Sequence, residues 1–347
     1  MKLNLNFLNL SCRNIGIDLG TSNILVTVDG NGIVFNEPSV VAINKSTDEI
    51  IAIGHEAKEM IGRTPDKILA IRPLKDGVVA DLTATRILLK IILTKVCKKY
   101  NITRFRAVIG VPYGITEVEE RALEEATLYA GAKEVFLIEE PLAAAIGANI
   151  QISEPNGNII VDIGGGTTEV AVISLGGIVA SNSIRIGGDE IDDAIVNYIR
   201  RVHNLAIGTV SAEEIKIDLG CALPLVTIQE KEITGRELST GLPKTVIINS
   251  NEIYKATIEP ILNIVENIKI ALEKTPPELS SDIMEKGIII SGGGALIRNL
   301  DKLIEEKTGM PVVIAENPLN CVVRGAGKTL EDLNKLKALL ATSKANR

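Results

Sequence analysis

Tryptophan is absent from this chain, and five tyrosines and four phenylalanines bring the aromatic share to only 3%. A core made without large rings has to come from Ile, Leu, Val and Ala, and a hydrophobic content of 46% is that of a globular chain. Only two histidines occur, and Cys12, Cys97, Cys221 and Cys321 are far apart with no C-x-x-C pair. This argues against a zinc site and for a reduced compartment. A basic stripe is also missing: the formal net charge is −7 and the Lys and Arg residues are scattered, so no nucleic-acid partner is expected. No apolar run approaches the roughly 18 residues that cross a bilayer. The N-terminal MKLNLNFLNLSCRN lacks the continuous apolar stretch of a secretory signal.

At 347 residues there is enough chain for two domains with a large core. IGIDLG and ILVTV, then the turn DGNG and IVF, predict strands and a hairpin, and SVVAIN with IIAIG predicts a second hairpin across KSTDE. A helix is expected over LTATRILLKIILTKVCKKY with Asp81 near its start, and FRAVIGVP reads as a buried strand. TEVEERALEEATLYAG has capping-box spacing at Thr116 and Glu119 and a glycine stop at Gly131. EVFLIEEP runs into the small-residue helix LAAAIGA, and QISEPNGN reads as a linker. Beyond it come NIIVDIGGG, EVAVISLGGIVASNSIRI, the helices DEIDDAIVNYIRRV and SAEEIKIDL, and the alternating strand LVTIQEKEI. A long helix over NEIYKATIEPILNIVENIKIALEK is expected to bend or break near Pro260. GIIISGGGA, LIRNLDKLIEEKTG and PVVIA follow, and KTLEDLNKLKALLATSKANR reads as a helix with a solvated tail. Each half opens with hairpins and ends in alternating strands and helices, which predicts two related α/β lobes with a cleft between them.

The most informative stretch is NIIVDIGGGTTEVAVIS, residues 158–174, with its counterpart NIGIDLGTSNILVTV from residue 14. Bare glycine backbone lets several N–H groups converge on an anion without a cationic side chain, and neighbouring hydroxyls add donors. A strand-ending aspartate repels phosphate but holds Mg²⁺ or its waters, and the metal then bridges to phosphate oxygens. Asp18 with GTSN and Asp162 with GGGTT therefore read as two jaws for one magnesium–triphosphate, although DLGT alone is more often a strand-end turn. SGGGALIRN is a third glycine cluster between strand and helix, and a tight structural turn is its plain alternative. G-x-x-x-x-G-K-[ST] is missing, so the chain is not a P-loop protein.

Five blocks in order resemble those of the actin, heat-shock chaperone and sugar kinase ATPase superfamily, over about residues 14–335. They are IDLGTSN, EEPLAAAIG, VDIGGGTTE, SGGGALIRNL and NPLNCVVRGAGK. Within it EPSVVAIN, RPLKDGVVAD, VFLIEEPLAAAIGA, VDIGGGTTEVAVISLGGIV, IRIGGDEIDDAI and INSNEI resemble the MreB/Mbl family of bacterial actin homologues. The resemblance implies an α/β actin-like fold of two RNase H-like lobes, each with a smaller subdomain, and a nucleotide in the central cleft. It places subdomain IA at 1–32, 78–147 and 320–347, IB at 33–77, IIA at 148–183 and 246–319, and IIB at 184–245.

Residue by residue, it implies that Thr21, Ser22 and Asn23 bind phosphate in the first lobe and Gly164, Gly165, Gly166 and Thr167 in the second. Asp18 and Asp162 would organise Mg²⁺. Glu140 would orient the attacking water with help from Thr167. Glu213 and Lys216 would contact adenosine, and Gly293, Gly294, Ala295 and Leu296 would line the nucleotide's other side. Plain alternatives stand beside these: Glu140 as a helix N-terminal carboxylate, Glu213 and Lys216 as an exposed i, i+3 ion pair, and Thr167 as a phosphate ligand alone. GTSN departs from the commoner GTAN by one hydroxyl, and Tyr113 stands where the family usually has a small residue.

The function so implied is a slow ATPase using ATP/ADP and Mg²⁺ that forms paired protofilaments and scaffolds cell shape and cell-wall synthesis. Its partners would be further copies of itself, the cytoplasmic face of the membrane, and membrane-bound cell-wall or shape proteins. Its location would be cytoplasmic and peripherally membrane-associated. Two segments are candidates for membrane contact: the N-terminus with Leu3, Phe7 and Leu10, for which a flexible tail or edge strand is the alternative, and the KKYNITRF loop with Tyr100, Ile102 and Phe105, for each of which ordinary core packing is the favoured alternative. A plasmid-segregating actin relative and a small-molecule kinase of the same superfamily are the alternatives.

Overall fold

A computed structural model describes residues 12–330, apart from Asp48 and Asp76. The chain forms two compact units, Met1–Asn149 with Val322–Arg347, and Ile150–Cys321.

In the first unit a five-stranded sheet has the order Glu134–Glu139, Phe105–Val111, Arg13–Leu19, Asn23–Val28, Gly32–Pro38. The last three form an antiparallel meander, and the first two run parallel to the central strand Arg13–Leu19. The second unit repeats this with Gly177–Ile184, Thr168–Ser174, Asn158–Ile163, Ile288–Ser291 and Val312–Ile314. There too a meander of three antiparallel strands continues into two parallel ones. In both sheets the central strand is the first of its unit among the described residues and carries an aspartate one residue before its end, Asp18 and Asp162. Each unit adds a three-stranded sheet: Ile50–Ile53, Val41–Asn44 and Ile68–Ile71 in the first, and Leu205–Ala206, Glu230–Glu237 and Pro243–Asn249 in the second.

Helices form where apolar spacing and caps agree. Leu82–Lys99 starts at Asp81, whose carboxylate accepts from the Ala84 N–H at 2.9 Å. It buries Leu88, Leu89, Ile92, Leu93 and Val96 on one stripe. Glu117–Tyr129 has the full capping box of Thr116 and Glu119, and Gly131 follows its end at φ 109°. A second capping box, Asn249 with Glu252, opens Ser250–Glu273.

That long helix runs uninterrupted through Pro260, which is buried, so the expected break at the proline does not occur. The ring loses one backbone bond, but Ile253, Ile261, Ile264 and Ile268 all bury on the same face and hold the helix through it. Alternation also misleads at residues 225–228, which precede the strand Glu230–Glu237; Val226 there is fully exposed.

Both cores are built of Ile, Leu, Val and Ala, with Phe105 the one ring among the buried residues of the first. Ile102 and Phe105 are committed to that core at 8% and 3% exposure, so two of the three apolar residues of the KKYNITRF loop are not available to a lipid surface. The N-terminal candidate with Leu3, Phe7 and Leu10 lies outside the described residues. No helix among the described residues is long and apolar enough to cross a membrane.

Candidate functional site

In the first unit the turn after the central strand is too tight for a side chain at Gly20, where a Cβ would lie 2.8 Å from the Asn23 carbonyl oxygen. Ser39 clamps this turn. Its hydroxyl donates to the Gly20 carbonyl at 2.5 Å and its amide to the Ser22 carbonyl at 2.9 Å. Thr21 is buried, and its hydroxyl accepts from the Gly77 amide at 3.1 Å, leaving its own O–H to donate elsewhere. Asn23 reaches Asn36 at 3.4 Å.

Asp18 is half-buried and lies beside Gly110 of the neighbouring parallel strand. Glu140, half-buried, is the first residue of helix Glu140–Gly147, directly after the strand Glu134–Glu139. Leu19, Gly77, Gly110 and Glu140 line one small cavity of about 10 Å³, roughly one water molecule. The first loop and Glu140 are thus brought to the same end of the sheet.

In the second unit Asp162 is buried and accepts from the Ser291 hydroxyl at 2.6 Å. Burial pushes its carboxyl up to about 6, against the lowering effect of the Ser291 bond. The loop Gly164–Thr167 closes on itself through Gly164 N–H to the Thr167 carbonyl at 2.8 Å. The start of helix Gly188–His203 holds its other side: Gly188 N–H donates to the Gly164 carbonyl at 3.0 Å and Asp189 N–H to the Gly165 carbonyl at 2.7 Å. The carbonyls of Gly164, Gly165 and Thr167 are thereby pinned. Its Gly165 and Gly166 amides donate to no protein acceptor among the described residues. Amides without a protein acceptor are what an anion-binding nest requires.

The third glycine cluster packs on the strand that carries Asp162. Gly292, at φ 78°, and Gly294 sit where a Cβ would come within 2.3 Å of the Ile163 carbonyl oxygen and 2.1 Å of its side chain. Gly293–Leu296 is a turn of 3₁₀ helix with Ala295 buried and Leu296 exposed. Arg298 then ties this loop to helix Thr209–Leu219, donating to the Asp218 carbonyl at 2.8 Å and the Gln229 side chain at 2.7 Å. The same helix carries Glu213 and Lys216, so these residues and the third loop belong to one assembly. Lys216 is mostly buried, with Asp192 as an ion-pair partner.

Four residues in these arrangements escaped sequence reasoning. Gly187 has the plainest signal, a second Gly-Gly before the acidic helix start in IRIGGDEIDD. A Cβ there would lie 2.7 Å from both the Gly164 and Gly165 carbonyl oxygens. Ser39, Asp192 and Ser291 carry no local signal, because their partners are distant in sequence.

Among the described residues no group of three or more His, Cys, Asp or Glu side chains forms a protein cage for a metal. Mg²⁺ in phosphate chemistry takes one or two carboxylates and completes its shell with phosphate oxygens and water. A buried, hydroxyl-supported Asp162 fits that donor set, and Asp18 at the matching position of the first sheet fits it as well.

Paired sheets of this topology, each with a phosphate-type turn after its first strand, define an actin-like fold. The family described as MreB/Mbl protein matches residues 12–338. The cell shape-determining protein MreB of Escherichia coli (strain K12) is 52% identical over 330 residues, covering 94% of this chain and 95% of that protein. The cell shape-determining protein Mbl of Bacillus subtilis (strain 168) is 50% identical over 324 residues, covering 93% and 97%. The crystal structure of MreB5 of Spiroplasma citri bound to ADP superposes with a TM-score of 0.90 at 41% identity, covering 95% of this chain and 99% of that one. Its AMPPNP-bound form gives the same score and identity. The chain belongs to the MreB/Mbl family.

Proposed function

We propose that this protein binds ATP and ADP with Mg²⁺, hydrolyses ATP slowly, and assembles with copies of itself into filaments. Those filaments would serve cell shape and cell-wall synthesis from the cytoplasmic face of the membrane. The observation that carries the nucleotide reading is the second loop: pinned carbonyls, amides of Gly165 and Gly166 with no protein acceptor among the described residues, and a buried carboxylate near the end of the same strand. A carboxylate buried with one hydroxyl for company is costly to folding, and a cation bound beside it would offset that cost.

In this reading Gly164, Gly165, Gly166 and Thr167 hold phosphate oxygens from the second unit, and Thr21, Ser22 and Asn23 hold them from the first. Asp18 and Asp162 would hold the magnesium ion, which when bound would supply neutralisation of the phosphate charge. Glu140 orients a water for in-line attack on the terminal phosphorus and accepts its proton, and the Thr167 hydroxyl helps fix that water. The P–O bond to the leaving ADP breaks as the bond to water oxygen forms, giving ADP and inorganic phosphate. Glu213 and the segment Gly293–Leu296 face the adenosine, while Lys216, on the same helix as Glu213, has its ammonium on Asp192 and the Gly188 carbonyl.

Self-association is supported by family membership and by apolar side chains exposed on and around the small sheet of the second unit, Val226, Leu242 and Ile247. Head-to-tail repetition of one heterologous contact gives an open filament. The deciding experiment is pelleting with electron microscopy, with and without Mg-ATP and anionic liposomes, comparing wild type with Asp162→Ala. Filaments that need Mg-ATP and disappear in the variant are the expected result. A chain that stays monomeric throughout while a small metabolite stimulates its ATP turnover would replace this reading with a kinase.

A further inference from the structure

Lys216 sits in the E-x-x-K segment whose resemblance implies adenosine contact, yet its ammonium is already engaged inside the protein. It donates to the Gly188 carbonyl at 2.8 Å and to Asp192 Oδ2 at 2.9 Å, and its side chain is 16% exposed. Gly188 is the residue whose amide holds the Gly164 carbonyl, and a Cβ on it would stand 3.0 Å from the Lys216 nitrogen. A continuous path therefore runs from Asp192 through Lys216 and Gly188 to the phosphate-type loop.

Asp192 is poorly suited to a purely stabilising role. Both of its oxygens lie 2.9 Å from the ammonium, but only Oδ2 receives a well-directed N–H. Oδ1 is buried with no hydrogen-bond donor among the described residues. Burial pushes this carboxyl up to about 6, with Lys216 opposing the shift and Glu213 and Asp189 adding to it. An ion pair buried in this half-satisfied state is often matched or bettered in stability by apolar residues of the same volume. Its geometric effect, by contrast, is direct: it fixes the ammonium beneath Gly188.

We infer that Asp192 is a positioning residue for phosphate binding, acting through Lys216 and Gly188 on the Gly164–Thr167 loop. This rests on the nucleotide reading of that loop. It separates the lysine's role from adenosine recognition, because loop geometry governs the phosphates and not the base.

The test is equilibrium titration of wild type, Asp192→Asn, Lys216→Met and the double variant with Mg-ADP and with adenosine, alongside thermal unfolding of each. Each single variant should weaken Mg-ADP by roughly tenfold to a hundredfold, the span for losing one charge-assisted bond. Adenosine affinity should stay within about twofold, and the double variant should lose no more than the worse single one, as for residues acting in series. The double variant leaves no unpaired charge, so it decides the matter if a single variant does not fold. A double variant that is folded and binds Mg-ADP like wild type overturns the inference. So does Lys216→Met losing adenosine and Mg-ADP alike while Asp192→Asn binds normally. Wild type that binds no Mg-ADP overturns the nucleotide reading and this inference with it.

Discussion

Replacing Gly187 by alanine tests how the second loop is held. Gly187 is the N-cap of helix Gly188–His203, with φ −154° and ψ −150°, an extended backbone that alanine can adopt. The cost is therefore one of space. A Cβ would stand 2.7 Å from two backbone oxygens, those of Gly164 and Gly165, where ordinary contact begins at 3.4 Å. The loop must retreat by about 0.7 Å, which stretches the Gly188-to-Gly164 and Asp189-to-Gly165 bonds from 3.0 and 2.7 Å to the edge of useful geometry or past it. Two weakened bonds at about 1 kcal/mol each give about 2 kcal/mol. In a unit of this size that lowers Tm by roughly 4–8 °C.

Gly208 supplies the control. It is also an N-cap, of helix Thr209–Leu219, and a Cβ on it meets nothing within 4 Å. Gly208→Ala thus reports the loss of a capping glycine alone, and the difference between the two variants isolates the clash. Differential scanning calorimetry with and without Mg-ADP is the assay, and Gly187→Ala should also lose most of the stabilisation by nucleotide. Equal Tm values for the two variants, with equal nucleotide responses, would refute the claim that the start of this helix pins the loop.

Three further outcomes follow from the same structure. Asp162 binds its proton more tightly folded, near pH 6, than at its ordinary 3.8, so its ionisation costs stability as pH rises through that window. Asp162→Asn should accordingly raise the nucleotide-free stability at pH 7.5, by up to the order of 3 kcal/mol, while abolishing stabilisation by Mg-ADP; a nucleotide-free protein less stable than wild type in urea titration would contradict this. Glu140→Gln should retain Mg-ATP affinity and lose roughly a hundredfold or more in phosphate release; unchanged turnover would remove Glu140 from the chemistry. Asn249→Ala removes the side chain that accepts from the Asn251 and Glu252 amides at 3.1 Å, and should cost about 1 kcal/mol by denaturant unfolding without changing nucleotide affinity.

Much of the site was legible because its signals are local. An apolar strand, an aspartate near its end and glycine within the next few residues specify a tight turn, and the chain writes this twice. Helix starts at Asp81 and Thr116 were equally readable, since a cap and the amide that donates to it lie within three residues. The break expected at Pro260 and the strand expected at residues 225–228 fail for a different reason, since both follow from intrinsic preference and packing decides otherwise: a buried helix face carries the chain through Pro260, while alternation at 225–228 does not make those residues part of the strand that follows.

By itself, then, the sequence determined the residue types of the cores, the paired glycine turns and their aspartates, and the family to which the chain belongs. Tertiary structure alone decided what holds those turns in shape. Ser291 meets Asp162 across 129 residues, Lys216 meets Asp192 across 24, and Ser39 closes on Gly20 across 19. The matching strand order of the two sheets likewise emerges only when the chain is folded. Local pattern encodes backbone conformation because its forces act over a few residues, whereas a hydrogen bond between distant segments depends on where the whole sheet has brought them.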